Sequence, residues 1–182
     1  NRDRALRLCK LLIKENLQIK YKISSRIDKV DKELLHYLAK SGCYRIHYGV
    51  ESGSQRVLDY LQKEILVEQI YKVIEMTKNE KIKIFVYMMI GVPTETKKEM
   101  LQSVELINKI KPDHVNYSIC SPFPKTYLYE QALIEAQVKD DYWQSFAENP
   151  DSSFKIKTLN KDFDEAKLRK IQDFAMRRFY MS

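Results

Sequence analysis

With 182 residues, 44% of them hydrophobic, the chain is long enough for one domain with a real core, and its composition is neither disordered nor fibrous. A net charge of +7, from 32 Lys and Arg against 25 Asp and Glu, attracts anionic partners at long range; the lysines are nevertheless scattered along helices rather than massed in runs, so nucleic acid is not an expected partner. Three distant cysteines, Cys9, Cys43 and Cys120, match no metal spacing or disulfide framework and read as buried small hydrophobes, and the longest apolar run, "IFVYMMIGV", falls short of membrane length, so the expected location is the cytoplasm.

Ala5, Leu6, Cys9, Leu12 and Ile13 recur at helical spacing and predict an amphipathic helix at the start. In "QIKYKIS", Ile19, Tyr21 and Ile23 share one face of a strand. "DKELLHYLAKSG" follows as a helix capped by Asp31, burying Leu34, Leu35 and Leu38 and stopping at Gly42. "YRIHYGV" repeats the alternation. Beyond a Gly-Ser-rich join, "SQRVLDYLQK" and "LVEQIYKVIEMTKNE" are helical, the second with Leu66, Ile70, Val73, Ile74 and Thr77 on one face. "KIKIFVYMMIGV" is a continuous apolar strand of the kind covered on both sides, and Thr96 with Glu99 makes a capping box for a helix carrying Met100, Leu101, Val104 and Ile107, which ends before Pro112. "HVNYSIC" alternates Val115, Tyr117 and Ile119 and runs into "SPFPKT"; a helix from roughly Tyr127 to Gln137 follows. After an irregular stretch, Asp162 with Glu165 forms a second capping box for a last helix bearing Leu168, Ile171, Phe174, Ala175 and Phe179, expected to pack back on the body.

Four strand-helix units in a row require a parallel sheet with right-handed crossovers, hence an α/β fold, either an open sheet or part of a (β/α) barrel. Four strands cannot close a barrel, which takes about eight. In either architecture ligands bind beyond the carboxyl ends of the strands. Polar clusters fall there after every strand: Ser24-Ser25-Arg26, Glu51-Ser52-Gly53-Ser54, Gly91-Val92-Pro93-Thr94-Glu95 and Ser121-Pro122-Phe123-Pro124. Arg26 and Lys63 suit a carboxylate or phosphate, Glu51 a ribose diol or amine, and the glycines the approach of a flat ring, which together suit a nucleoside with a charged tail. Each residue alone has a plainer account: Ser52 and Ser54 as helix caps, Arg26 as a partner of Asp28, Pro93 and Pro122 as strand ends. His36, His47 and His114 have no metal partner in sequence and are read as structural; there is no Ser-His-Asp ordering, P-loop or dinucleotide fingerprint.

"GVESGSQRVLDYLQK", "MMIGVPTET" and "SPFPKTYLYEQA" together resemble the carboxyl-terminal two-thirds of a radical S-adenosylmethionine domain, in particular the cobalamin-associated branch that includes anaerobic magnesium-protoporphyrin monomethyl ester cyclase-like proteins. The likeness spans residues 1–137, with 138–182 as an irregular extension and packing helix. It implies a partial TIM-like (β/α)6 barrel, the strands here being the third to sixth. It further implies S-adenosylmethionine as cofactor, bound by Ser24, Arg26, Glu51, Ser52, Lys63, Met89, Gly91, Ile119 and Ser121. Glu51 would lie near the ribose, Lys63 near the methionine carboxylate, and Met89, Gly91 and Ile119 to Ser121 against the adenine. A [4Fe-4S] cluster would be held by cysteines upstream of this chain, and cobalamin by an upstream domain. The implied activity is reductive cleavage of S-adenosylmethionine to a 5'-deoxyadenosyl radical that acts on a small-molecule substrate, in tetrapyrrole cyclisation or cobalamin-dependent methylation. The chain alone, lacking the Cys-x3-Cys-x2-Cys loop, is expected to be inactive. Thr94, Glu64 and Lys125 stand where relatives usually carry glycine. The alternatives are a methylthiotransferase acting on tRNA and a noncatalytic basic RNA-binding module. The bare edge of "QIKYKIS" is expected to promote a homodimer.

Overall fold

The structure is a computed structural model that describes residues 1–135, 138, 142–152, 154–155 and 157–181. Helix α1 (Arg2–Lys14) leads into β1 (Tyr21–Arg26), a 3-10 turn (Ile27–Lys29) and α2 (Lys32–Lys40). There follow β2 (Cys43–Glu51), α3 (Gln55–Tyr60), α4 (Val67–Asn79), β3 (Lys83–Ile90) and α5 (Lys97–Ile110). The chain then forms β4 (His114–Ile119), α6 (Tyr127–Ile134), α7 (Tyr142–Glu148) and α8 (Glu165–Tyr180). The expected end of α6 at Gln137 lies outside the described residues.

The four strands are parallel and stand in chain order, β1-β2-β3-β4, as winding in one direction requires. One parity of side chains makes the core: Ile46, Tyr48 and Val50 of β2, Ile84, Val86, Met88 and Ile90 of β3, and Val115 and Tyr117 of β4. They pack with Leu34, Leu35 and Leu38 of α2, Ile70 and Ile74 of α4, Met100 and Ile107 of α5, and Leu168 and Ala175 of α8. The other parity, including Lys22, Ser24, Arg26, Arg45, His47, Phe85, Tyr87, His114, Asn116 and Ser118, stays half-buried or exposed on an open face. β3 is therefore covered on one side, not both; its continuous apolar run arises because the open-face positions Phe85, Tyr87 and Met89 are aromatic or thioether rather than charged.

Asp31 caps α2 by accepting from Leu34 N at 2.9 Å, and the Thr96–Glu99 capping box starts α5 as expected. Several local expectations shift. The cap of α8 is Asp164, which accepts from Lys167 N at 2.8 Å, while Asp162 instead donates its N–H to Asn160 Oδ1 at 3.0 Å. Leu66 is the exposed N-cap residue of α4, and Leu101 points to solvent while Leu106 and Ile110 join the core. Ile19 lies before β1 and is exposed, because the strand starts only where Tyr21 pairs with Cys43. The three cysteines are buried and free. Among the described residues no helix is long and apolar enough to cross a membrane.

The outer edges of the sheet differ. β1 pairs on one side only. Along β4, the Tyr180 hydroxyl of α8 accepts from Val115 N at 3.1 Å and donates to Val115 O at 2.9 Å, and Gln172 Nε2 donates to Tyr117 O.

Candidate functional site

β2 ends in a register shift between Gly49 and Glu51, and Glu51 takes a left-handed backbone with φ of 74°. Its side chain folds back over Gly49, where a Cβ would sit 2.8 Å from Glu51 Oε1 and would push that carboxylate aside. Lys63, just beyond α3, donates from Nζ to that same oxygen at 3.0 Å. Arg26, the register partner of Gly49, donates to Asp28 Oδ1 at 2.8 Å and to the Lys63 carbonyl at 2.6 Å. Burial pushes the Asp28 carboxyl up, but hydrogen bonds from Arg26 and Lys29 outweigh it and hold it at about 2. Strand ends and loops that are distant in sequence thus meet in a mouth of alternating charge. Glu51 Oε2 makes no bond to a described residue and is left as an acceptor.

The structure brings Ser24, Arg26, Glu51, Lys63 and Met89 to the open face. Ser24 lies opposite His47, and Met89 is half-buried against Val57, Val92 and Cys120. It leaves Ser52, Gly91, Ile119 and Ser121 elsewhere. Ser52 is fully buried, with its Oγ 3.3 Å from Ser103 Oγ and accepting from Ser54 N at 3.1 Å. Gly91, at φ 78°, faces α8, where a Cβ would come within 2.7 Å of Leu168 Cδ1. Ile119 packs on the helix-side core, and Ser121 Oγ donates back to Ile119 O at 3.2 Å. Gly53 likewise serves packing, since a Cβ there would stand 2.6 Å from Gln102 O of α5. Gly53 and Gly91 are therefore each required by the close approach of a neighbouring helix.

Behind the mouth lies a buried carboxyl that the sequence does not distinguish from its neighbours. Glu95 Oε2 accepts from Gly91 N at 2.7 Å and Val92 N at 3.2 Å, while Oε1 has no partner. Burial raises this carboxyl to about 7. Asn160 holds the same turn by donating to Val92 O at 2.7 Å and Glu95 O at 2.9 Å. Farther out, Arg56 grips both oxygens of Glu99 at 2.7 Å and holds that carboxyl far below its usual range despite its burial. A carboxylate in a loop carries no sequence mark of whether it turns inward, so Glu95 is seen only in three dimensions.

Among the described residues no group of three or more His, Cys, Asp or Glu could hold a metal ion. The thiols are dispersed and buried, with burial pushing Cys43 up to about 11 and Cys120 up to about 12. They do not fit as ligands of an iron–sulfur cluster.

Parallel strands wound one way, helices on one face and polar loops gathered at the carboxyl ends define a segment of a (β/α) barrel. The chain belongs to the Radical SAM superfamily, which it matches over residues 1–107. It is 25% identical over 170 residues to an uncharacterised methyltransferase of Pyrococcus horikoshii, covering 93% of this chain and 37% of that protein. To the anaerobic magnesium-protoporphyrin IX monomethyl ester cyclase of Cereibacter sphaeroides it is 28% identical over 144 residues, covering 77% of this chain and 24% of the cyclase. The radical S-adenosylmethionine methyltransferase TsrM from Kitasatospora setae, solved with tryptophan substrate and aza-SAM, shares the fold with a TM-score of 0.67. That likeness covers 96% of this chain and 34% of TsrM at 16% identity. The chain therefore spans well under half the length of these relatives.

Proposed function

We propose that the mouth formed by Arg26, Glu51 and Lys63 binds S-adenosylmethionine and orients it toward a small-molecule substrate on the open face, for methyl transfer or ring closure. What carries this reading is Glu51, held in a left-handed backbone with its carboxylate folded over Gly49 and tied to Lys63 at 3.0 Å. Such a conformation costs on the order of 1–3 kcal/mol and tends to persist where it serves a site. The free Oε2 of Glu51 suits a ribose diol. The ammonium of Lys63, with Arg26 beside it, suits the amino-acid carboxylate. When bound, S-adenosylmethionine supplies a sulfonium centre whose carbon–sulfur bond is the one that breaks. Met89 and its apolar neighbours Val57 and Val92 exclude water on the adenine side. The chain's own thiols do not fit an iron–sulfur cluster, so no step is assigned to them. The names of the Pyrococcus and Cereibacter relatives support the two reaction types.

Calorimetric titration with S-adenosylhomocysteine tests the mouth. Saturable binding is expected, weakened about tenfold by Glu51→Gln and by Lys63→Met, the size of a lost charge-assisted hydrogen bond. No saturable heat at millimolar ligand, or equal affinity in all three proteins, would overturn the reading.

A further inference from the structure

We infer that the open face below the mouth is a floor that receives a flat, ring-bearing substrate through its carboxylate or phosphate group. Arg45 and His47 are two apart on β2 and project to the same side. Across the register they neighbour Lys22 and Ser24 on β1, and Lys83 and Phe85 on β3. His114 on β4 pairs with Phe85. Arg45 Nε and His47 Nε2 are both buried and neither has a hydrogen-bond partner. Buried polar groups are nearly always satisfied by protein, by ordered water or by a ligand, so each of these atoms calls for a partner, while Arg45 Nη2 already lies 3.4 Å from His114 Nε2.

The neighbouring surface is aromatic. The His47 ring stacks on Phe85 with centroids 4.8 Å apart and planes 10° from parallel, and Phe85 meets Tyr87 at 4.9 Å. His47 Nδ1 lies 3.1 Å from the Tyr87 hydroxyl. If that hydroxyl donates to Nδ1, the imidazole proton sits on Nε2. The charge is one-sided as well. Burial lowers the His47 pKa first, followed by Lys22, Arg45 and His114, and no acidic group contributes. Asp113, at the foot of the sheet, is taken up by Ile84 N at 2.8 Å, and Glu51 is engaged by Lys63. A guanidinium edge beside an imidazole N–H, with lysines near and aromatic rings alongside, recognises an oxyanion attached to a planar group.

Four residues of strand separate His47 from Glu51, roughly 13 Å, so a substrate anchored on this floor presents its far end to the mouth. That last geometric step rests on the cofactor reading above; the oxyanion site itself does not.

The test follows the His47 ring by long-range proton–nitrogen NMR while phthalate, phenyl phosphate or neutral dimethyl phthalate is added at constant ionic strength. Saturable shifts with either anion and none with the diester are expected, and the tighter anion identifies the group recognised. Arg45→Met is expected to weaken that binding about tenfold, and Arg45→Lys, which keeps charge but loses the planar fork, severalfold. The lysine variant also serves should the methionine variant fail to fold. Saturation by neither anion, an equal response to the diester, or undiminished affinity in the folded variants would overturn the proposal. S-adenosylhomocysteine titrated into the same samples separates the two readings: anion binding without it would sink the cofactor mouth alone, and the converse would sink the floor alone.

Discussion

Glu95 shows how one buried carboxyl sets a pH dependence. Its folded-state pKa of about 7 stands above the ordinary value of 4.5, chiefly because burial disfavours the charge, with Glu99 adding repulsion. Between those two values the native protein binds more protons than the unfolded chain. Its contribution to stability is therefore fully present below about 4.5 and is lost as pH rises through about 7. Glu95→Gln keeps an acceptor for the Gly91 and Val92 amides without the charge. It is expected to gain stability relative to the parent at pH 9 over pH 5, by roughly 1–3 kcal/mol. Urea unfolding at the two pH values measures this, and an identical difference at both would contradict the assignment. Two other residues record strain directly: Glu64 and Lys125, where the resemblance leads one to expect glycine, adopt φ of 54° and 62°. The left-handed region imposes about 1 kcal/mol on each side chain.

At the scale of elements, the join after β2 is clamped onto α5. Ser54 Oγ donates to Glu99 Oε1 at 3.1 Å, Arg56 grips the same carboxylate, and Glu99 also closes the capping box with Thr96. Gly53 lets this clamp close, with the α5 backbone at Gln102 and Ser103 nearer than any Cβ permits. Gly53→Ala is expected to destabilise by about 1–3 kcal/mol, since backbone rather than a flexible side chain must move, and to loosen S-adenosylhomocysteine binding through Glu51. Thermal melting and calorimetry on one variant check both; an unchanged melting temperature would mean the contact is slack. The helix caps Asp31 and Thr96 and the strand-end clusters were legible in sequence because they depend on neighbours a few residues apart. What Gly53 and Gly91 press against was not legible, because Gln102 and Leu168 lie 49 and 77 positions away and nothing local marks them. The pairing of Arg26 with Asp28 was the plainer expectation for that arginine, and it coexists with the site, since Arg26 also reaches the Lys63 carbonyl.

At the scale of the whole molecule, the two edges of the sheet present different surfaces. α8 shields β4, with Tyr180 satisfying both backbone groups of Val115 and Gln172 covering Tyr117 O, whereas β1 offers an unpaired edge. One free edge permits a closed two-fold pair, β1 against β1 of a second copy, and then no further growth. Two free edges permit head-to-tail addition, β1 of one copy to β4 of the next, which does not close. Tyr180→Phe removes the hydroxyl that serves Val115 and keeps the ring. We therefore expect sedimentation velocity to show the parent chain moving from monomer toward dimer as concentration rises, and Tyr180→Phe to form species beyond the dimer at the same concentrations. The variant should also lose roughly 1–3 kcal/mol of stability for the amide left unpaired. A parent that stays monomeric over a hundredfold concentration range, about 2.7 kcal/mol in association free energy, would show that the lysines at position 20, just before β1, and position 22, within it, repel a second edge strongly enough to keep it bare.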